Sequence, residues 1–593
     1  MLQPASRDHD YWSVDSAPAR LTRPLSVWAA PTLLVLFTMV ATVLLALIST
    51  EPLRSWFPNG DVVFSPYLGV HSIPLRIFIV SFTVAFSAVV GARAPGRLKF
   101  FLEVTLYYLV VCAAFDLINI VAFRLTGFVY SIHVVEILSG LFGFFIFSTR
   151  LLDQGTMPPR APSAPFRLAL KPLSFLSILA AVALAMAISL WVDGLALPLV
   201  DDLRSVALLG GTGPGVFLFL PVLFFILYVL GTLKSVLGRK RRFSPAVTVI
   251  IPAHNEAHIL PRTLAALDAA AARYEGEVHV LVLDNCSTDT TPQAATEAFA
   301  ALGHILGRVV SVPVPGKSNA LNAGIAATDT PFVIRIDADT QIHPDAIRYA
   351  LRHFASPDMG VVGGLPIAPG TGKFDRARDL ETLLKHGYYQ VAYGAVDAIV
   401  GVPGMFAVYR TQAVREAGGF VGGMNGEDTD MSLRIGEMGY RIVGDPTITY
   451  VSEVPRSWTH LREQRMRWFR SVYHVSARNR AYLDGWTGSV RGKIILPFML
   501  LNSGRRAMTV PLVIFGVLYY FVGFNPMTPL TLPAVVAVVL GAPALMAAFA
   551  ALANGRVKAL VGLPEYILFR LVRSYLTLES VLSIAFDKMQ SNR

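Results

Sequence analysis

"PFVIRIDADT", residues 331–340, is a short apolar run that ends in two carboxylates one residue apart, Asp337 and Asp339. A run of Phe, Val and Ile of this length, opened by Pro, reads as a buried β-strand. Two similar runs precede it, "AVTVII" (246–251) and "VHVLVL" (278–283), and Ala-rich helical stretches at 259–273 and 292–302 alternate with them. That order predicts a parallel sheet with helices on its faces. Ligands of such sheets sit beyond the carboxyl ends of the strands. Asp284 follows the second run as Asp337 and Asp339 follow the third, so three carboxylates converge at one sheet edge.

The surroundings of this block are of another kind. The chain has 593 residues, of which 54% are hydrophobic and 15% charged, against about 25% charged in a soluble globular protein. Stretches long enough to cross about 30 Å of hydrocarbon lie near 27–49, 72–92, 104–123, 129–148, 173–192 and 214–233, with two more near 507–523 and 532–553. Arg93, Arg97 and Lys99 follow the second span, Arg150 and Arg160 the fourth, and Lys234 with Arg239 to Arg242 the sixth, while the alternate loops are poor in Lys and Arg. The positive-inside rule therefore places the N-terminus and the polar block in the cytoplasm of a multi-pass plasma (inner) membrane protein. No signal peptide is expected, because the first apolar run is too long for an h-region.

Four regions result: a cytoplasmic tail (1–25), a membrane region with six helices (26–238), a cytoplasmic α/β block (239–492), and a membrane region (493–593) with two spans and the stretch 563–586. That last stretch, with Glu565, Arg570, Arg573 and Glu579, reads as an interfacial amphipathic helix or as a span lining a channel. Asp116, His133 and Glu136 fall inside apolar runs, where they either line a polar path or bond within the bundle; Arg76, at a span end, is expected to snorkel and Glu103 to sit at the interface. The net charge of +11 gathers at membrane edges and around one helix, which argues against nucleic acid. Cys112 and Cys286, in unlike environments, are expected neither to pair nor to bind metal.

Three constellations can carry chemistry. Asp337-Ala338-Asp339 is either a solvated turn or a holder for a hard divalent cation, which takes carboxylate oxygens and keeps positions for phosphates. Glu427-Asp428, before a helical pattern, either caps that helix or supplies a general base, Asp428, whose pKa adjacent Glu427 raises by repulsion. In "REQRMRWFR" (462–470) Gln464, Arg467 and Trp468 share a helix face. Amide, guanidinium and indole suit a sugar diphosphate; a basic helix lying on anionic lipid is the plainer alternative, compatible with the first.

With "IPAHNEA" (251–257), "LDNCSTD" (283–289), "GKSNALNAG" (316–324), "DAD" (337–339), "GED" (426–428) and "QRMRW" (464–468), the stretch from about 240 to 470 resembles the processive family 2 glycosyltransferases, the group of cellulose, chitin and hyaluronan synthases. The resemblance implies a GT-A (Rossmann-like) domain beside an α-helical transmembrane bundle, and an inverting enzyme that polymerises a β-linked, β-glucan-like polysaccharide from a UDP-sugar and translocates it. By the same resemblance Asn255, Glu256, Asp284 and Lys317 contact the nucleotide side. Asp337 and Asp339 serve the diphosphate and Mg²⁺ or Mn²⁺, with Asp339 the closer to metal. Asp428 is the base beside Glu427, and Gln464, Arg467 and Trp468 hold the diphosphate and frame the acceptor sugar.

The partners so implied are the UDP-sugar, the growing glycan and the lipid bilayer, with an accessory export subunit or a homo-oligomer left open. "GVPGMFAVYR" (401–410) occupies the acceptor-side segment but departs from its usual small-residue form. No FxVTxK-like segment follows QxxRW and no room remains for a C-terminal cyclic-dinucleotide domain, which argues against an ordinary bacterial cellulose synthase. A non-processive transferase acting on a membrane lipid and a nucleotide-binding transporter are the rival readings.

Overall fold

The computed structural model describes residues 25–58, 60–64, 73–130, 132–154, 157–161, 172–195, 219–238, 242–370, 372, 374–455, 457–484, 489–522 and 541–584. The N-terminal tail, most of the Pro-rich linker 156–166, the side chain of His133 and the basic run Arg239–Arg241 lie outside them.

Helices form where the apolar runs predict them. Among the described residues five are long and apolar enough to cross a membrane: Ala29–Ile48, Ala94–Thr126, Val134–Leu151, Leu173–Val192 and Leu220–Leu237. Leu75–Val89, Thr509–Tyr519 and Pro543–Ala553 are apolar but shorter, so the second, seventh and eighth expected spans are present as short helices among the described residues. The first bundle closes around Phe37, Phe78, Phe82, Phe86 and Phe147; Phe86 and Phe147 meet edge to face at 4.9 Å and 87°, and Phe82 and Phe86 stack.

Arg76 does not snorkel. It is 4% exposed and forks onto Asp116, Nη1 to Oδ2 at 2.7 Å and Nη2 to Oδ1 at 2.6 Å. Glu136 accepts from the backbone N–H of Leu75, and Asp61 accepts from that of Arg76. The acids inside the apolar runs are thus bonded within the bundle rather than exposed along a path. A guanidinium surrounded by protein oxygens gains more from two parallel charge-assisted bonds than from reaching a distant interface. Glu103 pairs with Lys99 at 3.7 Å, one turn back on its own helix.

The polar block is an eight-stranded mixed sheet of GT-A type: β1 (Val247–Ala253), β2 (Val278–Asp284), β3 (Leu306–Ser311), β4 (Phe332–Ile336), β5 (Gln341–Ile342), β6 (Met359–Ile367), β7 (Phe406–Arg410) and β8 (Arg441–Val451), in the order β3-β2-β1-β4-β7-β6-β8-β5. The expected parallel pairing holds for β3-β2-β1-β4 and again between β6 and β8. From β4 the partner is antiparallel β7, with Arg335 opposite Ala407. "GVPGMF" accordingly runs back along β4 and delivers Gly404 and Met405 beside Asp337, whose N–H donates to the Met405 carbonyl. The central strands are buried on both faces, by Leu260, Leu264 and Leu267 on one side and by Leu321, Met431 and Ile435 on the other.

Block and membrane helices pack closely. At Gly231 a Cβ would stand 2.1 Å from the Val391 carbonyl oxygen, so only glycine lets the helix Leu220–Gly238 reach Gln390–Ala395. The helix Leu563–Leu582 turns Arg573 and Glu579 onto the polar block, while Glu565 pairs with Arg376 at its more exposed start. Glu579 pairs with Arg462 at 2.7 Å and Arg573 with Glu381 at 3.1 Å, both on helices of the polar block.

Candidate active site

The geometry starts at the end of β1. Asn255 adopts φ 59°, a left-handed conformation that Asn tolerates better than most residues. Its backbone N–H donates to Ser287 Oγ and its Oδ1 accepts from the N–H groups of Thr288 and Asp289. Asn255 therefore ties the β1 and β2 loops together at the sheet edge. Asp284 ends β2, 8% exposed, and its buried Oδ1 has no donor among the described residues. It is an acceptor open to a ligand N–H or O–H.

A second group surrounds the DxD. Lys317 opens its helix and places Nζ 2.9 Å from Asp337 Oδ1. Burial first, then the charge of Asp337, pushes Asp339 up to about 6. Burial and the nearby Asp339 and Glu453 push Glu256 up to about 8. Four carboxylates thus share a small region with one lysine, an arrangement that a cation relieves. No three Asp, Glu, His or Cys side chains among the described residues form a self-sufficient cage. Such a donor set fits a hard divalent ion held by one or two carboxylates and completed by substrate phosphates. Beside Asn255, His254 Nδ1 bonds the Asn285 carbonyl at 2.8 Å.

Third comes the pair at the start of the helix Glu427–Glu437. Neither acid caps it. Glu427 Oε1 lies 2.7 Å from Nη2 of Arg335, a strand residue only 2% exposed, and the same nitrogen stands 3.7 Å from Asp337. Burial alone would raise the Glu427 carboxyl; the guanidinium reverses that and holds it at about 2. Asp428 moves the other way, raised by burial and then by the Glu427 charge. Its Oδ2 accepts from the Gly404 N–H at 2.8 Å and its Oδ1 from the Thr429 N–H at 2.7 Å. A Cβ on Gly404 would meet Arg335 Nη2 at 2.7 Å and Asp428 Cβ at 3.0 Å, so this glycine lets three elements converge.

The helix Trp458–Arg478 closes the site, started by Ser457, whose side chain accepts from the His460 N–H. A cavity of about 200 Å³ brings together Lys317, Asp337, Glu427, Asp428, Arg467 and Trp468. The indole lies under two guanidinium groups, Arg378 at 4.6 Å and Arg465 at 4.9 Å. Gln464, Asn255, Asp284, Glu256 and Asp339 are not among the lining residues; Glu256 and Asp339 reach it through the field they share with Asp337 and Lys317.

Sequence reading passed over Arg335, Glu381, Lys385 and Glu453. For Arg335 a signal existed, a charge in the middle of an apolar strand. The other three are brought in by distant segments.

Residues 248–418 match the Glycosyl transferase family 2 profile. The chain is 26% identical over 276 residues to a poly-beta-1,6-N-acetyl-D-glucosamine synthase of Staphylococcus aureus (strain COL), covering 44% of this chain and 66% of that protein. It is also 26% identical over 237 residues to a probable glycosyltransferase, YdaM, of Bacillus subtilis (strain 168), covering 39% and 56%. The chain thus spans just under two thirds of the first of these relatives and little more than half of the second. Among solved structures, a mannosyltransferase of Pyrobaculum calidifontis in complex with GDP-Man and Mn²⁺ is 22% identical with a TM-score of 0.37, over 62% of this chain and 99% of that one, a score too low to carry its ligands across. Residues 248–418, which carry Asn255, Asp284, Lys317, Asp337 and Asp339, are a glycosyltransferase family 2 domain, set in a frame of apolar helices.

Proposed function

We propose that the chain is a membrane-embedded, inverting, processive glycosyltransferase that extends a β-linked polysaccharide from a UDP-sugar on the cytoplasmic face of the plasma membrane. The observation that carries this reading is the single cavity shared by Lys317, Asp337, Asp428 and Trp468. An acceptor hydroxyl attacks the anomeric carbon from the face opposite the diphosphate. Asp428 takes its proton, the new glycosidic bond forms, and the bond to the diphosphate breaks. A base that binds a proton more readily than a free aspartate suits that step, and burial beside Glu427 supports it. Lys317 and Arg467 offset charge on the departing nucleoside diphosphate. Mg²⁺ or Mn²⁺ held at Asp337 and Asp339 would neutralise the same leaving group. Trp468 gives the acceptor ring a flat apolar wall.

The name of the staphylococcal relative makes UDP-N-acetylglucosamine the first donor to try, ahead of UDP-glucose. Helices packed directly on the block support export of the product through the same protein. The full chain is purified, incubated with a panel of sugar nucleotides, and its product sized and digested with linkage-specific glycosidases. A polymer from one UDP-sugar is expected. Asp428→Asn is expected to lower turnover by about 10²- to 10⁴-fold while donor binding persists; a mutant that still polymerises at the wild-type rate removes the base.

A further inference from the structure

The cavity of the candidate active site holds a histidine to which the transfer step gives no part. His386 lines it with Lys317, Asp428 and Trp468 and is 8% exposed. The carboxylates beside it are already engaged: Glu427 with Arg335, Asp337 with Lys317, and both oxygens of Asp428 with the N–H groups of Gly404 and Thr429.

The tautomer of His386 follows from its neighbours. Gln390, buried one turn further on, donates from Nε2 to the Gly401 carbonyl at 3.2 Å. A carbonyl can only accept, so the amide is oriented with Oε1 toward the ring, 2.6 Å from His386 Nδ1. That oxygen too can only accept, and Nδ1 therefore carries the hydrogen. The opposite edge of the ring ends in Nε2, which has no hydrogen-bond partner among the described residues. Burial, then the charge of Lys385, holds the imidazole well below the ordinary histidine range. Nε2 keeps its lone pair at neutral pH as a result. Such an atom cannot offset a diphosphate, but it can accept from a hydroxyl.

The backbone around the ring is fixed on both sides. Residues 383–389 form a π-helical segment, a distortion found chiefly at functional sites. The Gly387 carbonyl accepts from Asn554 Nδ2 at 3.2 Å. A Cβ on Gly444 of β8 would stand 2.8 Å from the Gln390 side chain, so this glycine makes room for the amide. The helix Asp375–Thr382, which leads into the π-helical segment, carries Arg378 over the Trp468 ring at 4.6 Å. His386 thus belongs to the stretch of chain that flanks the indole.

We propose that His386 Nε2 accepts a hydrogen bond from a hydroxyl of the sugar ring that lies on Trp468, with Gln390 as the positioning residue that fixes the tautomer. This rests on the reading of the cavity as a glycosyl-transfer site and names a residue that selects the acceptor sugar.

The first test reads the ring directly. The full chain in phosphatidylcholine nanodiscs is treated at pH 7 with diethyl pyrocarbonate, which attacks an unprotonated imidazole nitrogen. Labelling of His386 is followed by peptide mass spectrometry, with His343, 51% exposed, as reference. Methyl β-glycosides of N-acetylglucosamine and of glucose serve as acceptor mimics. One of them should shield His386 saturably, because only the unliganded fraction reacts, and leave His343 unchanged. Among the 3-, 4- and 6-deoxy forms of that glycoside, one should need about tenfold more for equal shielding, the worth of one neutral hydrogen bond.

The second test reads transfer to the same glycoside. His386→Leu should raise the acceptor concentration for half-maximal rate about tenfold with the donor KM unchanged. His386→Gln, whose Oε1 takes the place of Nε2, should retain the wild-type requirement. Gln390→Leu should leave His386 reactive toward the reagent while weakening its shielding by the glycoside.

The proposal is overturned if neither glycoside shields His386, if all three deoxy forms shield as well as the parent, if UDP with Mg²⁺ shields equally, or if His386→Leu leaves the acceptor requirement unchanged. Absence of transfer with every donor, but with His386 still shielded by a methyl glycoside, would instead sink the reading as a transferase and leave the sugar contact standing.

Discussion

Replacing Arg335 by Met tests how the acids are arranged. The side chain is 2% exposed, and Met keeps most of its volume while deleting the charge. Glu427 is held at about 2 where a free glutamate has 4.5, which corresponds to about 3 kcal/mol of native-state stabilisation at neutral pH. That agrees with the 3–5 kcal/mol typical of a buried ion pair broken from one side. Because the native value is depressed, the contribution is complete above about pH 5 and is lost as pH falls toward about 2.

Arg335→Met should therefore lower the melting temperature of the full chain at pH 7 by roughly 6–12 °C for a domain of this size, and by progressively less in acid. The double variant Arg335→Met/Glu427→Gln should recover much of the loss, since no unpaired carboxylate is left, giving a coupling of about 2 kcal/mol. Thermal unfolding of the four proteins across pH measures this. A single variant that melts with the wild type at pH 7, or strictly additive losses in the double, would refute the electrostatic account of Arg335.

Three further outcomes follow from the same geometry. The acid limb of the transfer rate should lie above the ordinary aspartate range, because burial and Glu427 raise Asp428; in Glu427→Gln that limb should move to lower pH, as a pH–rate profile shows. Gly404→Ala places a methyl 2.7 Å from Arg335 and 3.0 Å from Asp428, and misplacing the base should cost about 10²-fold in turnover with little change in donor binding. Asp339→Asn should raise the Mg²⁺ or Mn²⁺ concentration needed for half-maximal rate about tenfold or more, read from metal titrations of nucleoside diphosphate release.

What the sequence disclosed about this fold follows from where the energy lies. β1, β2 and β4 were legible because strands buried on both faces must be apolar along their length, and their ends marked the carboxylates. β3, "LGRVVS", is largely exposed and carries no such pattern. β6, "MGVVGGLPI", is broken by Gly and Pro, residues that argue against a strand until tertiary packing overrides them. The antiparallel return at β7 could not be read, because pairing direction depends on the path of the intervening chain.

At the site, Lys317, Asp337, Glu427, Asp428, Arg467 and Trp468 were found by motif and meet in one cavity. Arg335 was in plain view and passed over, since a charge in a strand acquires meaning only through Glu427, 92 positions away. Arg76 was misjudged for the same reason: its partner Asp116 lies on another helix.

The ion pairs around the helix Trp458–Arg478 explain why such a domain is built against apolar helices rather than tethered to them. One turn carries Arg462 and Arg465, which reach Glu579 and Glu381, and the next presents Trp468 to the cavity. Further along, Tyr473 and Ala477 join the core of the first bundle, and the Arg478 carbonyl accepts from Ala161. A single rigid helix is thus fixed to the first bundle at one end and to Leu563–Leu582 at the other, with the indole between. The same helix is tied to the element that carries Asp428, for Asn479 donates to Asp430 at 2.7 Å and His474 accepts from the Asn425 N–H at 3.0 Å, so Trp468 and Asp428 are positioned together. Packing against the apolar helices therefore bears on the indole and on the Asp428 element at once, through one helix.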